Sequence, residues 1–239
     1  MADIIPAILP KNYEDLKNKI ALVRGVVPIV QIDICDGNFV KNISWPFLSK
    51  GDEGVFLENS FDEHFLAILN EREGLPFWED IDFELDLMVS GAVENFDIYT
   101  KLGPKRIIFH LEAVGDLDEF KNFVEGIDMY VRDTIQIGLA VNVDTEISKI
   151  FSLANSVDFV QTMGISEIGF QGQEFDGKVI ENIKKLKEKF ADLIISVDGG
   201  VNFETAQKLI DVGANRLVIG SAIFNTDDII DTIENFKTL

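Results

Sequence analysis

The chain has one cysteine and few cations. A single Cys35 excludes an intrachain disulfide framework and fits a reducing cytosol, so the expected location is cytoplasmic. Lys and Arg number 21 against 42 Asp and Glu, for a formal net charge of −21. Such a surface repels nucleic acid and anionic membrane, and neither is expected as a partner. An anionic substrate would then need a local site built from main-chain N–H groups and cations. Apolar runs stay short of the roughly 20 residues a membrane span needs. Met1-Ala2-Asp3 opens without a basic stretch before an apolar segment, so no signal peptide is expected. Pro-rich and Ser-rich linkers are missing too, which argues against loosely tethered domains.

What the chain does have is 239 residues, 46% of them hydrophobic. That suffices for one large α/β barrel or two small domains. Apolar strand candidates run at Ile4–Leu9, Ile29–Ile34, Phe83–Val89, Arg106–His110, Ile135–Val141, Val157–Met163, Leu193–Asp198 and Arg216–Ile219. Between them lie helical patterns. Asn12 caps a helix through Arg24, with Leu16, Ile20 and Val23 on one face. Further helices are predicted at 60–71, 92–102, 117–130, 146–155, 176–190 and 203–212. A short turn opens at Gly220, and a last helix begins at Thr226. This alternation predicts a single (β/α)8 TIM barrel over 1–239. A doubly wound open sheet is the structural runner-up, but no Gly-x-Gly-x-x-Gly follows the first strand. Residues 41–80 are longer than one helix needs and hold both Trp45 and Trp78. This excursion reads as a lid, an oligomer contact or a decorative loop.

Strand ends carry the chemistry in such a barrel. Alternation places Gln31 and Asp33 on one face of the second strand, and Glu84, Asp86 and Met88 on one face of the third. Polar residues at strand ends also include His110, Asn142 and Asp198. The bland account is a set of unrelated turn caps. If instead Asp33, Asp86 and Asp198 converge, their repulsion requires a shared proton or a cation. Oxygen-only ligand sets suit Mg²⁺, Mn²⁺ or Ca²⁺, whereas imidazoles favour Zn²⁺ and Fe²⁺. Glycines gather after strands six, seven and eight: Gly169 and Gly172, Gly199 and Gly200, and Gly220 followed by Ser221. Ordinary turn glycines would explain each alone. Together they outline a phosphate site of main-chain N–H groups.

Several stretches resemble the ribulose-phosphate 3-epimerase family. They are Pro6-Ala7-Ile8-Leu9, Asp33-Ile34-Cys35-Asp36-Gly37-Asn38-Phe39-Val40, Leu87-Met88-Val89, His110-Leu111-Glu112, Gly169-Phe170-Gln171-Gly172-Gln173, Val197-Asp198-Gly199-Gly200-Val201 and Gly220-Ser221-Ala222-Ile223. The resemblance implies a ribulose-phosphate-binding barrel that epimerises a phosphorylated ketose, with Asp33 and Asp198 passing the proton. It implies one divalent metal at Gln31, Asp33, Asp86 and Asp198, where the family has His, Asp, His and Asp. Lacking both imidazoles, this set is expected to take Mg²⁺ or Mn²⁺ rather than Zn²⁺ or Fe²⁺. Substrate and phosphate contacts are implied at Met88, Met163, Gly169, Phe170, Gln171, Gly172, Gly199, Gly200, Gly220 and Ser221. Other departures from the family pattern are Ala7 for a serine, Cys35 for a methionine, Ile168 for a proline, and Gln171 in the glycine-rich loop. The alternative is a repurposed or non-catalytic barrel that binds a phosphorylated sugar. A decarboxylase or synthase of hexulose-phosphate type would carry Asp-x-Lys on strand three, and Glu84-Leu85-Asp86-Leu87-Met88 has no lysine. The expected partner is a phosphorylated sugar, with a homo-oligomer left open.

Overall fold

A computed structural model of the chain describes residues 2–50 and 60–239. Eight parallel strands among the described residues close into a barrel in chain order. They are β1 (Asp3–Ile8), β2 (Ile29–Cys35), β3 (Asp82–Met88), β4 (Arg106–His110), β5 (Gln136–Val141), β6 (Phe159–Met163), β7 (Ile194–Asp198) and β8 (Arg216–Ile219). Closure is made by β8 on β1, with Asp3 opposite Arg216 and Pro6 opposite Ile219. The expected strands thus hold to within two residues at each end.

Alternation decides what each strand buries. Val30, Ile32 and Ile34 join the large core between the barrel and its helices. Cys35, Met88, Ile108, Ala140, Phe159 and Met163 fall in a separate cluster, as the opposite phase of their strands requires. Helix α1 (Tyr13–Val23) is capped by Asn12, which accepts from the Asp15 amide at 2.9 Å, and it buries Leu16, Ile20 and Val23. Helix α2 is Glu63–Leu69 and α3 is Phe96–Thr100, both shorter than their patterns suggested. The pattern at 117–130 splits into α4 (Leu117–Gly126) and α5 (Met129–Arg132). Asp128 causes the break: its side chain accepts from the Tyr130 amide at 2.8 Å and starts a new helix. The segment expected as a helix at 146–155 is a 3₁₀ turn, Ile147–Ser152. Next come α6 (Lys178–Lys189) and α7 (Phe203–Asp211), the latter with an Asn202–Thr205 capping box. After α8 (Ser221–Phe224), α9 (Ile229–Lys237) starts later than Thr226, because Asp228 supplies its cap. No helix among the described residues is long and apolar enough to cross a membrane.

The excursion after β2 is tied to the barrel at its root. Ser44 Oγ donates to the Asp33 carbonyl at 2.7 Å and accepts from the Cys35 amide at 2.8 Å. Trp45 is buried against Phe65, and its indole donates to Asp62 at 3.0 Å. The other tryptophan, Trp78, is 63% exposed. Gly51-Asp52-Glu53-Gly54 lies outside the described residues.

The N-terminal half of the barrel interior is packed with unlike groups. Glu84, buried on β3, pairs with Arg106 of β4 at 2.7 Å. Burial raises the Glu84 carboxyl even against that pairing. The guanidinium of Arg216 lies 4.7 Å from the centre of the Phe159 ring, and its burial lowers its pKa to about 10. Phe159 fits only because β5 has Gly138 opposite it: a Cβ there would sit 2.4 Å from the ring. Gly138→Ala should therefore destabilise by about 1–3 kcal/mol, the usual cost of overpacking. Adding Phe159→Leu should return part of that loss. Thermal melts of the single and double variants check this, and strictly additive losses would contradict it.

Candidate active site

The C-terminal ends of β2, β3 and β7 bring three carboxylates together. Asp33 and Asp86 are register partners on adjacent strands. Each of Asp33, Asp86 and Asp198 offers one ligand atom, and these atoms all lie within 4.8 Å of one another. Asp33 and Asp86 are buried, and Asp198 is half-buried. The Gln31 amide bridges two of them: Nε2 donates to Asp33 Oδ1 at 2.8 Å and to Asp198 Oδ2 at 2.7 Å. Gln161 Nε2 reaches the same Asp198 oxygen at 3.3 Å. His110 Nε2 lies 2.8 Å from Asp86 Oδ1.

These contacts leave the cluster short of positive charge. Asp33 is raised well above the usual carboxylate range, first by burial and then by the charges of Asp198 and Asp86, with the Gln31 hydrogen bond opposing. Asp198 is raised to about 7, again by burial and then Asp86, against the pull of Gln31 and His110. Burial alone would lower His110, but the charge and hydrogen bond of Asp86 outweigh it and raise the imidazole. Asp86 Oδ2 and Gln31 Oε1 are buried without hydrogen-bond partners. Three close carboxylates, one of them with an unpartnered buried oxygen, are a donor set that fits a hard divalent cation.

The cavity beside the cluster is lined by Asp33, Asp86 and Asp198 together with the residues expected to touch substrate. Met88 and Met163 form inner walls. Gly169, Phe170, Gln171 and Gly172 come from the loop after β6, Gly199 and Gly200 from the turn after β7, and Gly220 and Ser221 from the start of α8. All ten expected substrate contacts thus share one cavity. Gln31 is fully buried behind its wall. The glycines differ in what makes them necessary. Gly199 has φ +97°, and a Cβ there would lie 2.6 Å from Ile165. Gly200 has φ +68°, and its Cβ would lie 2.8 Å from the Phe175 backbone. Both are required by chain packing, so a valine at Gly200 tests folding more than anion approach. Gly172 also has positive φ but opens onto free space. Gln171 reaches across the mouth to donate to the Ala7 carbonyl at 3.0 Å, lying close over Gly220. The segment after β2 touches this rim as well, through Asn42 Nδ2 to the Gly169 carbonyl at 2.8 Å and Val40 against Gly169.

Two members of the cluster stand outside the ligand set expected from the sequence. His110 was visible as a strand-end polar residue, and its partner was not. Gln161 sits two residues before Met163, in the same inward phase of β6, and that period is its signal.

A closed parallel barrel with an acidic cluster beside a glycine-lined cavity at its C-terminal mouth is a (β/α)8 protein with a site where such barrels keep theirs, and comparisons with known proteins narrow it. KGPDC from Streptococcus mutans shares the fold with a TM-score of 0.68 at 13% identity, over 99% of this chain and 96% of that one. The profile of the Ribulose-phosphate 3 epimerase family matches residues 69–224, and the chain belongs to that family. Ribulose-phosphate 3-epimerase of Bacillus subtilis is 28% identical over 235 residues, covering 95% of this chain and 94% of the relative. The Eremothecium gossypii protein of the same name is also 28% identical, over 98% of this chain and 91% of its own.

The raised carboxylates give a pH signature. Asp198 titrates at about 7 in the fold, against the ordinary carboxylate value of 3.8. The folded state therefore favours the protonated form, and its advantage is fully present below the ordinary value. That advantage fades as pH rises to and through 7. Metal-free Asp198→Asn should melt above metal-free wild type, by a margin that widens from about pH 4 to about pH 7 and then levels. Adding Mn²⁺ should stabilise wild type more at alkaline than at acidic pH. A pH-independent margin between the two proteins would contradict the assignment.

Proposed function

We propose that this chain epimerises a phosphorylated ketose, ribulose 5-phosphate to xylulose 5-phosphate or a close relative, by proton transfer between Asp33 and Asp198. The observation that carries the reading is the single Gln31 amide holding both carboxylates at the floor of a glycine-lined cavity. Epimerisation beside a ketone removes a weakly acidic C–H proton, leaves an enediolate, and returns a proton to the opposite face. Each half-step needs one ionised and one protonated carboxyl. Burial and repulsion raise both aspartates in the metal-free cluster, which favours that mixed state. When the first aspartate has taken its proton from carbon, the second gives its own, and the pair ends with its roles exchanged.

The rest of the cavity positions the sugar. Met88 and Met163 offer soft apolar walls to the carbon chain. Main-chain groups of Gly172, Gly199, Gly200 and Gly220 and the Ser221 hydroxyl face the phosphate, with Gly169, Phe170 and Gln171 over it. In a chain of net charge −21 such neutral donors are a means of holding an anion locally. Asp33, Asp86 and Asp198 would hold a divalent ion, Mg²⁺ or Mn²⁺ by ligand chemistry, and it would supply positive charge beside the developing oxyanion. Gln31 would join the set through Oε1 only in place of its bridge to the carboxylates, because Nε2 faces them. The chain is read as one domain, because the barrel closes its last strand on its first. The buried lone cysteine supports a cytoplasmic setting.

Proton NMR of ribulose 5-phosphate in deuterated buffer, with Mg²⁺ or Mn²⁺ added, reads the chemistry directly. Wild type should exchange the C3 proton. Asp33→Asn and Asp198→Asn should each slow exchange by about 10²–10⁴-fold. Ser221→Ala should raise KM severalfold and leave kcat nearly unchanged. Exchange at the wild-type rate in either aspartate variant would defeat the two-carboxylate mechanism. Phosphosugar binding without exchange under any ion would mark a barrel that only binds.

A further inference from the structure

We propose that His110 is a positioning residue for the ion site: it ties down one oxygen of Asp86 and leaves the other to the ion. The inference rests on the reading of the three-carboxylate cluster as a divalent-ion site.

The argument begins with strand geometry. β3 and β4 are parallel neighbours with Asp86 opposite Ile108. His110 lies two residues further along β4, in the same phase, so it points inward beside Asp86. The contact is 2.8 Å, from Nε2 to Oδ1, and both side chains are 0% exposed. A carboxylate that holds an ion only accepts, so in the ion-holding state Nε2 carries the hydrogen. The other ring nitrogen, Nδ1, is buried without a partner. The Phe39 ring covers the imidazole with centroids 5.6 Å apart. The imidazole is therefore oriented by Asp86 and by packing alone, and no second hydrogen bond competes.

The effect on Asp86 is equally specific. Oδ1 is taken, and Oδ2 is buried with no hydrogen-bond partner. A carboxylate held in this way keeps one rotamer and presents a single oxygen, so less freedom is lost when an ion arrives. In the ordinary arrangement a carboxylate orients a ligating histidine. Here the order is reversed, with aspartate toward the ion and histidine behind it. The chain has two histidines. The other, His64, stacks on Tyr13 outside the barrel and pairs with Glu73.

The test is calorimetric titration of Mn²⁺ into the metal-free full-length protein. His110→Ala should weaken Mn²⁺ binding by about 10–100-fold, the usual loss when an outer partner is removed. His110→Gln puts an amide nitrogen near the place of Nε2 and should recover most of that affinity, whereas the shorter His110→Asn should not. Asp86→Asn should weaken binding at least as much as His110→Ala, and the double variant His110→Ala/Asp86→Asn should bind no worse than Asp86→Asn alone. A purely structural pair would lower the melting temperature in all three His110 variants and leave Mn²⁺ affinity unmoved. That result, or equal losses in the Gln and Asn variants, overturns the positioning role and leaves the ion site standing. If wild type itself binds no Mn²⁺, the ion site falls and this inference with it.

Discussion

Three carboxylates that repel one another in a buried place set the terms for the rest of this molecule. Barrel closure puts Asp33, Asp86 and Asp198 there, and no lysine or arginine is among the groups that bond them. The cluster is balanced by dipoles and protons. One amide bridges two carboxylates, a second amide adds a longer contact, and an imidazole holds the third. The balance is incomplete, which is why burial and repulsion push two of the aspartates upward. Where the family pattern has histidines, neutral when they bind a metal, this chain has an amide and another acid. The exchange makes the mouth more negative.

The barrel and its acidic mouth were legible because strand alternation is local. Gln31 and Asp33 share a phase whatever the rest of the chain does, and so do Glu84 and Asp86. The positions of Asp33, Asp86 and Asp198 at strand ends followed from where apolar runs stop. What could not be read was any contact whose partner is chosen by register across strands. His110 meets Asp86 because β4 pairs with β3 at one offset, and Gln161 meets Asp198 by the same kind of accident of register. Helix lengths were over-read where a capping side chain intervened: Asp128 restarts a helix that periodicity alone would carry on to Tyr130. The 3₁₀ turn at Ile147–Ser152 shows the same limit, since three-residue and four-residue spacing look alike over so short a run.

The glycine-rich loops expected to form a phosphate site line one cavity, and packing accounts for some of their glycines without any anion. Gly199 and Gly200 are imposed by positive φ and by Ile165 and Phe175 pressing on them. Chain path alone therefore accounts for both glycines of this turn. Gln171, which brings a side chain into the glycine-rich loop, spans the mouth instead and links that loop to β1.

The lower half of the barrel bears on traffic through the site. Glu84 with Arg106, Arg216 and Phe159 fill the interior beneath the acidic cluster. The active site is in effect a blind well with one door. Among the described residues, Gln171 spans the mouth at the open end, and Asn42 and Val40 meet Gly169 at its rim, so on the proposed reading one occupant must leave before the next can enter. While a sugar sits in that doorway, bulk water has no route to the aspartates from below. On the two-aspartate reading, a proton lifted from carbon then stays on the aspartate that took it until the door clears, and its exchange with solvent is timed by release.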